Sequence, residues 1–308
     1  MPENKPAVYT SPLDTAQAET LKGILKRENF VFEERPYTLF FAKKPRLTVA
    51  VYEKGPKVVV QGRDLAEFVQ FVLEPEVLGE ARFGYEDVHH PERFEPHFGI
   101  DESGKGDFFG PLVIAGVYSD GDLARTFKEA GITDSKRITS DARIRALAAT
   151  IRKSKAPQTV IVIRPSRYNE LIAKVGNVNR LLAWGHARAI ENLCELRPDC
   201  PRALSDKFAD VRVLERALMA DGRRLKLDQR TKAESDPAVA AASILAREAF
   251  IEWLEDAGKR AGLRLPRGVS PAVKEAARSL AASRGREGLA DFVKMHFKTT
   301  AEILGDAA

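Results

Sequence analysis

The sequence predicts an α/β protein in two parts: a small unit of helix, three strands and helix, then a larger mixed domain around a central sheet. Three observations carry this. Between Leu21 and Val72, three β-branched and aromatic runs lie between two segments of helical period. From Gly79 to Pro96 the chain carries Gly84, Pro91 and Pro96 among several acids, with no sustained apolar period, and reads as a linker. Beyond it, strand-like and helix-like signals alternate, and 308 residues at 44% hydrophobic are enough for one large or two modest cores.

Met1 to about Ala16, with Pro2, Pro6 and Pro12, predicts a disordered or loose arm. Leu21, Ile24 and Leu25 predict a helix. Tyr37 to Phe41, Leu47 to Tyr52 and Lys57 to Gln61 predict strands, punctuated by Pro45 and by Gly55-Pro56. Leu65, Phe68, Val69 and Val72 fall on one helix face, and Pro75 is expected to stop that helix. In the larger part, Phe108 to Tyr118 and Thr159 to Ile163 predict strands. Arg143 to Ile151, Asn179 to Leu196 and Pro237 to Leu254 predict helices, the last Ala-rich along one side and suited to close packing.

The formal charge of +5 is unevenly spread: +6 over 21–63, −7 over 64–99 and +8 from Ile100 onward. Two basic blocks about an acidic one suit a polyanionic partner, although surface charge also fluctuates this much by chance. No segment approaches the roughly 18 uninterrupted apolar residues of a membrane helix, and the start lacks the apolar core of a secretion signal, so the expected compartment is the cytoplasm. Cys194 and Cys200 are too few for a disulfide framework and are read as spare thiols.

The densest chemical signal is Asp101-Glu102-Ser103-Gly104-Lys105-Gly106-Asp107-Phe108-Phe109-Gly110-Pro111. Two adjacent carboxylates end an apolar strand and run into a Gly-x-Gly that permits close approach of another molecule. In a regular strand Asp101 and Glu102 point to opposite faces, so a bulge or twist is expected there. A charged hairpin tip would also look like this. The spacing of a nucleotide P-loop is absent. Asp206 follows the apolar Ala203-Leu204, and Glu234 precedes a predicted helix whose start it could equally serve as a dipole complement. Gathered at strand ends with little His or Cys nearby, such carboxylates make an all-oxygen cage suited to Mg²⁺ or Mn²⁺ and to phosphoryl transfer. His186 is read as a packed helical histidine, and His89 and His90 are given no role.

The Asp101 to Pro111 segment resembles the signature of ribonuclease HIII, a type 2 ribonuclease H. Similar blocks follow in order: Thr133-Asp134-Ser135-Lys136, Tyr168 to Leu171, Asn177 to Ala187, Ser205 to Ala209, Thr231 to Ser235 with Ala238 to Arg247, and His296-Phe297-Lys298. The resemblance covers essentially Phe98 to Thr300. It implies a ribonuclease H-like mixed-sheet catalytic domain over 98–308. Before it come a linker at 86–97 and, over 1–85, a small α+β substrate-binding domain similar to half of the TATA-binding protein. Tyr37, Phe40, Lys43, Lys44, Arg46 and Lys57 would then lie on a sheet face meeting a nucleic-acid groove, or be divided between core and solvent by strand alternation.

The resemblance further implies endonucleolytic cleavage of the RNA strand of RNA/DNA hybrids by two Mg²⁺ or Mn²⁺ ions. Asp101, Glu102, Asp206 and Glu234 would be the metal-binding catalytic carboxylates, with Asp101 bridging the ions. Gly104, Lys105 and Gly106 would feel the ribose hydroxyls, and Ser135, Lys136 and Lys232 would contact the substrate. One departure is Lys207, where the family usually has Gln; beside Asp206 it would help keep that carboxylate ionised. The expected partner is a hybrid duplex, with no membrane or protein partner and a monomeric chain. The competing readings are cleavage at single ribonucleotides in duplex DNA, as in ribonuclease HII, and a non-catalytic hybrid-binding module.

Overall fold

The computed structural model describes residues 8–79 and 91–305. The chain divides into two compact units, Met1–Pro91 and Glu92–Ala308. In the first, strands β1 (Val8–Pro12), β2 (Val31–Glu33), β3 (Thr38–Lys44), β4 (Leu47–Tyr52) and β5 (Lys57–Gly62) form an antiparallel sheet of order β1-β5-β4-β3-β2. Helix α1 (Thr15–Arg27) begins with a capping box between Asp14 and Gln17. Helix α2 (Leu65–Phe68) runs on into a π-helical segment, Val69–Leu78.

Two expectations are corrected here. Within the arm, residues 1–7 lie outside the described residues, but Val8–Pro12 form an edge strand on β5. Backbone pairing organises that strand, which no apolar period announces, and Pro12 is tolerated because it ends an edge. Pro75 does not stop its helix; it sits inside the π-helical segment, whose altered hydrogen-bond spacing accommodates the missing donor, and Gly79 at φ +68° ends it.

Sheet alternation sends Phe40, Ala42, Val49, Val51, Val58 and Val60 onto the core formed with Leu21, Leu25, Val69 and Leu73. The opposite face carries Phe41, Ala50 and Val59 in one row and Lys43, Thr48 and Gln61 in the next. Phe40, expected either on a groove-facing sheet face or in the core, is core. Phe41 lies on the opposite face, itself buried, with the Arg35 guanidinium 3.6 Å from its ring centroid. Tyr37 stands in a turn and is exposed. Lys44 pairs with Glu28, and Arg46 with Asp64.

In the second unit, β6 (His97–Ser103), β7 (Leu112–Ser119), β8 (Gln158–Ile163), β9 (Arg202–Asp206) and β10 (Lys226–Arg230) form a mixed sheet of order β10-β9-β6-β7-β8. Strands β6, β9 and β10 are parallel; β7 is antiparallel to β6 and β8. Helices α3 (Gly121–Glu129), α4 (Asp141–Lys153) and α8 (Pro237–Ala261) cover one face. Helix α6 (Val178–Leu196) covers the other, preceded by α5 (Pro165–Val175). The short α7 (Val211–Glu215), α9 (Pro271–Ala290, broken at Gly285) and α10 (Lys298–Leu304) complete the unit. Strand β7 is buried throughout, as a central strand covered on both faces must be. It starts at Leu112 and not at Phe108, because Phe108 and Phe109 turn into the core and Phe109 bridges to Val293. Of the expected linker, 86–90, with His89 and His90, lie outside the described residues; Pro91–Phe94 form a 3-10 turn and His97 already opens β6.

One contact sets the distance between sheet and helix. A Cβ on Gly99 would fall 2.2 Å from Val239 N and 2.6 Å from Ala238 Cβ, so the missing side chain is what allows the start of α8 to lie directly on β6. Asp236 caps that start, accepting from the Ala238 and Val239 amides, and its Oδ1 also lies 2.9 Å from the Nε2 of buried His97 on β6.

Candidate active site

The β6–β9 ladder ends at the rung Ile100↔Ser205. Asp101 and Asp206 stand one residue beyond it, where the sheet opens. Asp101 faces α8, as Gly99 does, and Glu102 faces α6. The expected bulge is absent, since β6 keeps unbroken register with β7 through Asp101↔Ala115 and Glu102↔Ile114. The two carboxylates instead straddle the strand end, with Asp101 Oδ1 accepting the Glu102 amide at 2.8 Å. Asp206 accepts the Ala233 amide at 3.2 Å, drawing in the turn that carries Glu234 ahead of α8. From the far side Lys136, in a turn capped by Asp134, donates to Glu234 Oε1 at 2.7 Å.

Negative charge exceeds what these contacts neutralise. Burial, then the charges of Glu102 and Asp206, push the Asp101 carboxyl well above its ordinary range. Burial and Glu234 likewise raise Asp206. For Glu102 and Glu234 burial acts upward too, but their neighbours prevail: the hydrogen bond with His186, and then Lys105, hold Glu102 down, and Lys136 holds Glu234 down. Burial alone would lower Lys136; the surrounding carboxylates outweigh it and raise its ammonium well above the usual value. Among the described residues no three His, Cys, Asp or Glu side chains are already drawn together as a metal cage, and Lys136 lies against one of the four carboxylates. The donor set nevertheless fits hard divalent cations: all oxygen, partly buried, and carrying an uncompensated charge that a cation would relieve.

Asp101, Glu102 and Asp206 border a cleft of about 440 Å³ whose lining includes Gly104, Lys105, Gly106, Ser135, Lys136, Lys207, Arg247 and Arg267, and Glu234 is joined to it through Lys136. The two glycines differ. Gly104 has φ +85°, and its absent Cβ would strike the Pro111 carbonyl and the Phe250 ring; Gly106 faces open space. Gly104 thus shapes the loop and Gly106 bares backbone to the cleft. Ser135 is buried, its amide donating to Ser243 and its carbonyl accepting from Arg247, both on α8. Lys232 is exposed, with φ +61°, in the turn before Glu234. Lys207 is exposed at the cleft, and the Asp206 carboxyl beside it is raised by burial and Glu234.

His186 belongs to the site although nothing in its helical setting announces it. Fully buried on α6, it places Nε2 3.1 Å from Glu102 Oε2 and Nδ1 3.0 Å from Ser205 Oγ, and packs on Phe208 at 4.7 Å between ring centroids. A histidine held between a candidate metal-binding carboxylate and a neighbouring strand orients that carboxylate.

The chain matches the family described as Ribonuclease HII over residues 98–300. Ribonuclease HIII of Protochlamydia amoebophila is 43% identical over 297 residues, covering 96% of this chain and 97% of the relative, and that of Chlamydia caviae is 42% identical over 305 residues, covering 97% and 99%. Among solved structures, Bst-RNase HIII in complex with Mn²⁺ superposes with a TM-score of 0.67 at 27% identity, covering 97% of this chain and 98% of its own. The ribonuclease HII of Archaeoglobus fulgidus, at 30% identity and a TM-score of 0.55, is matched over 96% of its length yet spans only 67% of this chain. Identity over nearly the whole length, first unit included, therefore shows that this chain belongs to the ribonuclease HIII family.

Proposed function

We propose that this chain hydrolyses phosphodiesters in the RNA strand of RNA/DNA hybrids, with Asp101, Glu102, Asp206 and Glu234 holding two Mg²⁺ or Mn²⁺ ions. The observation that supports the reading is that Asp101, Glu102 and Asp206 line one cleft with cations at an opened strand end, while Lys136 of the same cleft reaches Glu234. Bound divalent ions there would supply an activated water and stabilise the departing oxygen. The protein's own groups do the rest. His186 fixes the Glu102 carboxylate, the Ala233 amide fixes Asp206, and backbone at Gly106 meets the 2′-hydroxyls that distinguish RNA from DNA. Lys136, which donates to Glu234, would be free to contact phosphate were that carboxylate to hold a metal.

A pure binding module has no use for buried acids facing phosphates, since each would repel the ligand and cost desolvation. The proposed setting is a monomer in the cytoplasm, where the buried thiols Cys194 and Cys200 stay unpaired. Among the described residues no helix is long and apolar enough to cross a membrane.

The test is cleavage of a labelled uniform hybrid, and of a duplex bearing one ribonucleotide, in Mg²⁺, Mn²⁺ or EDTA. Metal-dependent cutting of the uniform hybrid by the wild type, reduced by more than about a thousandfold in Asp101→Asn, is expected. Preference for the single ribonucleotide would favour the ribonuclease HII-like activity, and tight binding without cutting would favour the module.

A further inference from the structure

Lys294 is fully buried in the segment between α9 and α10, far in sequence from the carboxylates. Its Nζ donates to two backbone carbonyls of one loop, Asp107 at 2.9 Å and Gly110 at 2.7 Å, while its own amide donates to the Phe108 carbonyl at 2.9 Å. Burial pushes its ammonium down to about 7, with only the Asp107 charge opposing. Burying a lysine without a carboxylate in hydrogen-bond contact is costly, and an apolar residue of similar length would fill the space at less cost. What the amine supplies is a double clamp on the four residues that follow Gly106. The same loop is tied a second time, through Asp107 Oδ1, to the Gly268 amide at 2.6 Å.

We infer that Lys294 is a positioning residue for substrate recognition: by clamping the Asp107–Gly110 backbone it holds the Gly104-Lys105-Gly106 loop at the height where its bared backbone meets the RNA strand. This rests on the proposed hybrid cleavage. Lys294 contacts none of the four carboxylates, so its effect is on the binding of substrate and not on the binding of metal. Asp107 acts from the other side of the same loop, and removing either clamp should give the same kinetic signature.

The experiment is steady-state cleavage of a uniform RNA/DNA hybrid by full-length wild type, Lys294→Met and Asp107→Ala, with Mn²⁺ binding measured on each by calorimetry. Expected are a KM raised about 5- to 10-fold in both variants, kcat within about twofold of wild type, and unchanged Mn²⁺ affinity. Reduced kcat at unchanged KM, tracking a loss of folded protein, would show a merely structural lysine and overturn the inference; so would two variants with wild-type KM. Should Lys294→Met fail to fold, Asp107→Ala, at a half-exposed position, decides alone. A wild type that does not cut the hybrid would instead remove the reading on which the inference rests.

Discussion

At the residue scale, the candidate carboxylates could be picked out because their chemistry is a property of the side chain: acids ending apolar strands suggest cations wherever they occur. Their partners were not legible. His186 reaches Glu102 from 84 residues away and Lys136 reaches Glu234 from 98 away, through packing that no local pattern records. The excess charge of the site has a measurable consequence in metal-free protein. Because Asp101 is raised in the folded state, the stability linked to it is fullest below its unfolded value near 3.8 and is lost as pH rises through the folded value. Asp101→Asn should therefore melt a few degrees higher than wild type at pH 7.5 in EDTA, on the order of 1 kcal/mol, with the gap closing toward pH 3.5. Calorimetric melts across pH check this, and a variant less stable than wild type at pH 7.5 would contradict it.

At the element scale, the strand and helix periods marked most of the secondary structure, and the misses have specific causes. Strand β1 depends on pairing with β5, and the segment through Pro75 survives by changing its hydrogen-bond spacing. The expected bulge at Asp101 and Glu102 proved unnecessary because β9 separates from β6 after Ser205, letting both faces of one strand end reach the same opening. Placing Glu234 beside Asp206 depends on α8 lying close on β6. Gly99→Ala should push its helix start outward, costing about 2–3 kcal/mol in urea unfolding and lowering hybrid cleavage more than about tenfold. Unaltered unfolding and cleavage would show that the close approach is dispensable.

At the scale of the whole molecule, the chain forms two units that each carry basic groups, and in the first the sheet face opposite the core carries Lys43 beside Thr48 and Gln61. Lys43 pairs with Glu33, whereas the Lys57 ammonium lies 5.8 Å from the Tyr52 ring centroid. If this face follows a phosphate backbone, Lys43→Ala with Lys57→Ala in the full chain should weaken hybrid binding. The slope of log affinity against log salt should fall by about one unit for each phosphate no longer neutralised. Fluorescence anisotropy over a salt series measures it; an unchanged slope would take the face out of the interface.

The sequence by itself determined the α/β class, the two-part organisation and the family, and picked out the candidate acids, because these reside in side-chain chemistry and in periods of two and 3.6 residues. Only the tertiary structure decided that Asp101 and Glu102 end one strand without a bulge, that Phe40 and not Phe41 joins the core of the first unit, and that His186 lies on Glu102 and Lys294 on the Asp107–Gly110 backbone. Each of these depends on which distant backbone lies within a few ångströms, and that distance is set by packing between elements far apart in the chain.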